Sequence, residues 1–132
     1  MKKIIFLVIA VLSISAVFAQ SKVPVEFKES KHSFGKIKQG VPVTYTFTFK
    51  NTSSTPVVIE NATADCGCTT PVYPKGVVGK GATNKISVTY NAAAMGSFTK
   101  RITVNVAKLK EPIILTIDGE VVDAASAANK KS

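Results

Sequence analysis

Three shortages bound this sequence. It has no tryptophan, a single histidine and only two cysteines, Cys66 and Cys68, with one residue between them. An antibody-type sandwich needs a tryptophan packed on a disulfide that joins its two sheets, so that form is excluded. One histidine leaves little material for a His-rich metal centre. The spacing of the cysteines rules out a bridge between distant strands of the same chain. It leaves a tight local bridge, a thiol pair, a metal clip or links to another chain. Acidic residues are also few, eight against 17 Lys and Arg, giving a formal charge of +9. Such a balance favours weak adhesion to anionic surfaces. The lysines are scattered, however, and no aromatic residues interleave with them as a base-stacking platform requires, so nucleic acid is not an expected partner. The sequence holds no P-loop, Gly-x-Ser-x-Gly elbow, paired-carboxylate constellation or calcium loop.

One long apolar run is present. Lys2 and Lys3 precede Ile4 to Leu12, and small residues lead to Val17-Phe18-Ala19. This reads as a cleavable secretory signal over residues 1–19, with cleavage before Gln20. Its roughly 15 apolar residues fall short of the ~20 a membrane span needs. Gln20 is not a cysteine, which closes the lipoprotein route. The expected product is exported, to the periplasm, cell surface or medium, with no transmembrane span after cleavage. Residues 20–122 form the expected domain, large enough for one core. Residues 123–132 form a basic, Ala-rich tail expected to be disordered.

Strict alternation dominates the domain. Val43, Tyr45, Phe47 and Phe49 share one face, with Thr44, Thr46, Thr48 and Lys50 on the other. Ile86, Val88 and Tyr90 repeat the pattern, as do Phe98, Ile102, Val104 and Val106. Ile113, Leu115, Ile117 and Val121 make a last strand, with Gly119 on the same side. Period two in β-branched and aromatic residues marks half-buried strands. Val57-Val58-Ile59 is shorter and continuous, as in a strand covered on both faces. Gly35 and Gly40 shape turns around Phe34, which is expected to plug one end of the fold. Residues 71–81, with two prolines and three glycines, read as one long connection. About seven short strands in ~100 residues indicate an all-β, immunoglobulin-like sandwich.

His32-Ser33-Phe34-Gly35-Lys36-Ile37, Gly40, Phe47-Thr48-Phe49-Lys50-Asn51 and Pro56-Val57-Val58-Ile59 resemble the opening of the bacterial domain of unknown function 1573 family. Cys66-Gly67-Cys68-Thr69 matches its most distinctive motif. Val88-Thr89-Tyr90-Asn91, Gly96-Ser97-Phe98-Thr99-Lys100 and Ile117-Asp118-Gly119-Glu120-Val121 continue the match in order. The sequence is also similar to the Hydin-like and major sperm protein sandwiches, whose roles are mostly protein binding. The resemblance implies an exported immunoglobulin-like domain, common in Bacteroidetes, with no established activity.

Chemistry, if present, belongs to Cys66 and Cys68. A bridge between them closes a very small ring and constrains little of the unfolded chain, so it stabilises poorly. In an exported protein that leaves thiol–disulfide exchange as one reading, although Asp65 disfavours a thiolate beside it. Cu(I) held by two thiolates is another, because soft ions accept few ligands. Zinc wants four ligands and finds only His32, Asp65 and Met95 as candidates. The plainest reading is structural: Cys66-Gly67-Cys68 is a kinked, close-packed junction between strands. The cysteines then act as small buried hydrophobes, and Gly67 supplies a positive φ or a close backbone approach. His32 as a base for a cysteine nucleophile competes with a hydrogen-bonded or exposed strand-edge histidine. His32, Phe34, Gly35, Gly40, Asn51, Gly67 and Gly119 are taken as the structural motif. No catalytic residue, cofactor or dedicated metal ligand is assigned. The expected function is a non-enzymatic binding or structural module of the cell envelope, docking another envelope protein through a sheet edge. The alternative is thiol-disulfide or Cu(I) chemistry at Cys66 and Cys68.

Overall fold

The structure, a computed structural model, describes residues 23–125. The expected leader at 1–19 and most of the expected tail lie outside them. Nine strands follow one another among the described residues: β1 (Val25–Phe27), β2 (Lys31–Lys38), β3 (Val43–Asn51), β4 (Val57–Ala64), β5 (Thr69–Val72), β6 (Val77–Val78), β7 (Thr83–Tyr90), β8 (Gly96–Val106) and β9 (Ile113–Val122). They form two sheets, ordered β1-β3-β7-β5 and β2-β9-β8-β4-β6. This is the all-β, immunoglobulin-like sandwich that the alternation implied. β2 runs parallel to β9; every other pairing is antiparallel.

Alternation is what places the core. Phe47, Phe49, Ile86 and Val88 from one sheet and Ile59, Ile102, Val104, Leu115 and Ile117 from the other are buried between the layers. Each such side chain contributes roughly 1.5–3 kcal/mol on burial, so the sheets are held by this core rather than by a cross-sheet disulfide. On the outer face of β3 and β7, the Thr44 hydroxyl lies 2.8 Å from that of Thr89, and Thr46 3.2 Å from Ser87. These are cross-strand polar pairs on a solvated surface.

Two expectations about the strands need correction. The segment from Val57 does not stop at Ile59 but continues to Ala64, past a bulge between Ile59 and Asn61. The connection over 71–81 is not one loop: its start belongs to β5 and its middle to β6. Pro71 masks β5 in the sequence. It is tolerated because β5 is an edge strand, where a missing N–H breaks no ladder.

Gly119 has no room for a side chain. A Cβ there would stand 2.8 Å from the Gly35 carbonyl oxygen and 2.9 Å from the ring of Phe98. Phe98 pairs with Gly119 across the β8–β9 ladder and stacks on Tyr90 at 4.0 Å, tying the two sheets together. Gly35 itself sits at a bulge in β2 with φ +68°, a conformation that glycine adopts without steric cost. Gly40 turns the chain toward β3 with φ +79°.

Candidate functional site

Cys66 and Cys68 lie where the chain changes sheets. β4 ends in one sheet at Ala64 and β5 begins in the other at Thr69, so Asp65 to Cys68 make the corner. The two sulfurs are joined in a disulfide, with Cα atoms 5.3 Å apart. Of the readings the spacing left open, the structure therefore carries the local bridge. The corner is docked by backbone hydrogen bonds: Asn91 N–H donates to the Cys68 carbonyl at 2.9 Å, and Asp65 N–H to the Arg101 carbonyl at 3.2 Å.

The packing reading needs correction in two respects. The cysteines are half-buried rather than buried, and of the two it is Cys68 that packs against the core. Gly67 supplies neither a positive φ nor a close approach; a Cβ there would meet nothing within 4 Å. Its place in the motif is not explained by backbone sterics.

Thr69 completes the corner. Only 4 % exposed, it points its hydroxyl at both sulfurs, 3.9 Å from Cys66 Sγ and 3.7 Å from Cys68 Sγ. Sequence reasoning passed over this residue, though its place directly after Cys68 was a signal. The carboxylate of Asp65 turns to Arg101, accepting from its backbone N–H at 3.2 Å and its Nε at 3.4 Å. The negative charge expected to oppose a thiolate is thus partly matched. Joined sulfurs offer no thiolate to Cu(I), so a copper site would first require reduction. Among the described residues no three His, Cys, Asp or Glu side chains gather as a metal-binding group.

His32 is not near this corner. It sits on β2, with β9 and β8 between it and β4, so the pairing of His32 with a cysteine nucleophile is not assembled. Its ring stacks on Tyr45 at 3.6 Å and meets Phe34 edge-on at 4.8 Å. Tyr45 continues to Phe47 at 4.9 Å. His32 does lie on an edge strand, as expected, but it is half-buried in an aromatic ladder from β2 to β3 rather than exposed. Phe34 closes that side of the core. The Tyr45 hydroxyl donates to the Glu29 carboxylate, which raises its pKa. Asp118 on β9 is held below the usual carboxylate range by hydrogen bonds from Ser33 and Lys31.

Asn51 is the most completely engaged polar residue. It is fully buried; its Nδ2 donates to the carbonyls of Thr55 at 2.8 Å and Val78 at 3.0 Å. Its Oδ1 accepts from Ser53 N–H at 2.9 Å and Ser53 Oγ at 2.7 Å. That uses every donor and two acceptor sites of the amide. The role is structural: Asn51 ends β3 in one sheet and reaches β6 in the other.

A groove of about 670 Å³ lies at one end of the sandwich between Val23, Pro56, Leu109, Pro112 and Ile113. Among the described residues no helix is long and apolar enough to cross a membrane.

Similar architectures occur in solved structures. The PapD-like domain 7 of human CEP192 aligns with a TM-score of 0.65 at 14% identity, covering 76% of this chain and 87% of that one. A Porphyromonas gingivalis protein of unknown function aligns at 0.64 and 13% identity, covering 74% of this chain and 46% of its own. WR4, a Caenorhabditis elegans member of the major sperm protein family, aligns at 0.51 and 7% identity, over 75% and 98% of the two chains. At such identities the likeness shows the fold alone: a PapD-like, major-sperm-protein-like sandwich. No curated protein matches the sequence. The family model "Protein of unknown function (DUF1573)" matches residues 25–121, with the Cys66-Gly67-Cys68 corner at its centre, and the chain belongs to that family.

Proposed function

We propose that this protein is an exported, non-enzymatic module of the bacterial cell envelope that binds another protein by accepting an added strand along β4. The observation that carries this reading is the incomplete pairing of β4. On one side it pairs with β8 from Ile59 to Ala64; on the other it pairs with β6 through Val57 and Val58 alone. The outer side of Glu60 to Ala64 is open, a template for backbone hydrogen bonds from a partner strand.

The other edges are protected. β1 has three residues, and β5 has four including Pro71. β2 has eight but carries Lys31, Lys36 and Lys38, charges that discourage edge pairing. The open stretch of β4 has no Lys, Arg or Pro, and Val77, 66 % exposed, stands beside Val58 at its start as an apolar anchor. Export rests on the leader at residues 1–19. The absence of an enzyme role rests on the separation of His32 from the cysteines.

A photo-crosslinking residue at Thr63, and as control at Lys36 on β2, tests the proposal in envelope preparations. A discrete adduct at position 63, absent at 36 and lost when Ala64 is changed to Lys, is the expected result. Equal labelling at both positions, or adducts indifferent to the added lysine, would refute strand addition at β4.

A further inference from the structure

We propose that the Cys66–Cys68 bridge is a thiol–disulfide exchange site, with Cys66 the sulfur attacked by an external thiolate and Cys68 the sulfur that leaves. This goes beyond the binding reading and does not depend on it. The argument starts from reach. The bridge joins residues two apart, so it ties together nothing that the peptide chain has not already brought close. A bond with so little to hold is free to be opened without unfolding the sandwich.

The two sulfurs are not equivalent. Cys68 packs against the core, and its carbonyl is pinned by Asn91 N–H. Cys66 is equally half-buried but stands outside that packing. An approaching thiolate therefore meets Cys66 first. The leaving sulfur needs a donor, because the departing group is an anion. The buried hydroxyl of Thr69 supplies one at 3.7 Å, and it reaches Cys66 Sγ at 3.9 Å for the reverse direction. Arg101 engages the neighbouring Asp65 carboxylate, which reduces repulsion of the incoming anion.

The chain has no third cysteine, so the reductant is external: a small monothiol or a protein dithiol. In the first step the partner thiolate forms a bond to Cys66 Sγ as the Cys66–Cys68 bond breaks. Its electron pair stays on Cys68, which takes a proton from solvent. In the second step another thiolate attacks the partner's sulfur in the mixed disulfide and releases Cys66 as a thiolate. Two partner thiols become one disulfide, and the bridge gains two electrons. Run backward, the bridge oxidises a dithiol.

The test uses the mature protein with glutathione as monothiol probe and dithiothreitol as dithiol probe, read by acid quench, alkylation and intact mass. The thermal transition of each variant is recorded alongside. The folded bridge is expected to open at least as fast as the same bridge in urea. With glutathione disulfide as probe, Cys68→Ser should form the mixed disulfide at Cys66, releasing one glutathione thiolate, roughly tenfold faster than Cys66→Ser does at Cys68. Thr69→Val should slow opening roughly tenfold, whereas Thr69→Ser stays within about twofold of the parent. Opening by both probes identifies a monothiol as sufficient, and opening by dithiothreitol alone identifies a dithiol partner. A bridge that stays closed until urea unfolds the domain overturns the proposal. So do equal rates in the two single-cysteine variants, or indifference to Thr69→Val in a protein that still melts cooperatively.

Discussion

Two places where the chain passes from one sheet to the other are secured by opposite means. At the end of β3, Asn51 uses only hydrogen bonds, yet its side chain links backbone groups up to 27 residues away. At the β4–β5 corner a covalent bond joins Cys66 to Cys68, two residues apart. The weaker kind of bond does the longer-range work. A cross-link stabilises by the conformational freedom it removes from the unfolded chain, and a span of two residues removes little. A buried amide stabilises through what its loss leaves behind, here the buried Val78 carbonyl without a side-chain donor. Strength per bond and contribution to the fold are therefore separate quantities here, and the corner that contributes less to the fold is the one free for chemistry.

The sharpest way to break this comparison is Asn51→Ala. It strands the buried Val78 carbonyl and removes the side chain's bonds to Ser53 and Thr55, and should cost about 3 kcal/mol in denaturant melts. A loss under about 1 kcal/mol would mean that water replaces the amide. Next in size is a contrast of two motif glycines. Gly119→Ala drives a Cβ against the Gly35 carbonyl and the Phe98 ring, and should cost about 2 kcal/mol, lowering the midpoint by about 8–16 °C. Cys66→Ser with Cys68→Ser should cost at most about 1.5 kcal/mol, the limit set by so short a loop. A loss equal to that of Asn51→Ala would reverse the ranking of the two fastenings.

Gly67→Ala should be neutral or stabilise by about 0.5 kcal/mol, since its φ suits any residue and the space beside it is open. The smallest effect belongs to a third kind of fastening, the 3.1 Å ion pair of Lys31 with Asp118 between β2 and β9. Hydrogen bonds from Ser33 and Lys31 hold the Asp118 carboxyl below its unfolded value. Its contribution is thus present above the ordinary carboxylate range and is lost as pH falls through the depressed folded value. Stability of Asp118→Asn should accordingly fall less steeply than that of the parent over that acid window, seen as a flatter low-pH arm in thermal melts.

The strands from Val43, Ile86, Phe98 and Ile113 were legible because one sheet face is solvated, so burial imprints period two on the residues. Asn51, Gly35, Gly40 and Gly119 were legible as special positions, being the residue types that turns, bulges and buried caps demand. β5 was not, because Pro71 signals a break unless one knows that the strand lies at an edge. Nor was the partner of His32, since stacking on Tyr45 depends on how β2 lies against β3. Gly67 misled for the same reason: a glycine between two cysteines suggests a special φ, and only the backbone path shows that none is used.

What the sequence determined by itself is the long alternating strands, the side of each that faces inward, the sandwich they build and the family to which the chain belongs. Those follow from local alternation and from motif order, which need no knowledge of neighbours. What only the tertiary structure decided is which strand edges remain open, which cysteine packs against the core and whose hydroxyl lies beside both sulfurs. Edge exposure is a property of strand order, and strand order is set by contacts between residues far apart in the chain. The open side of β4 arises because β6 ends after two residues. The pairing of Thr69 with both sulfurs arises because the chain leaves one sheet at Ala64 and enters the other at Thr69.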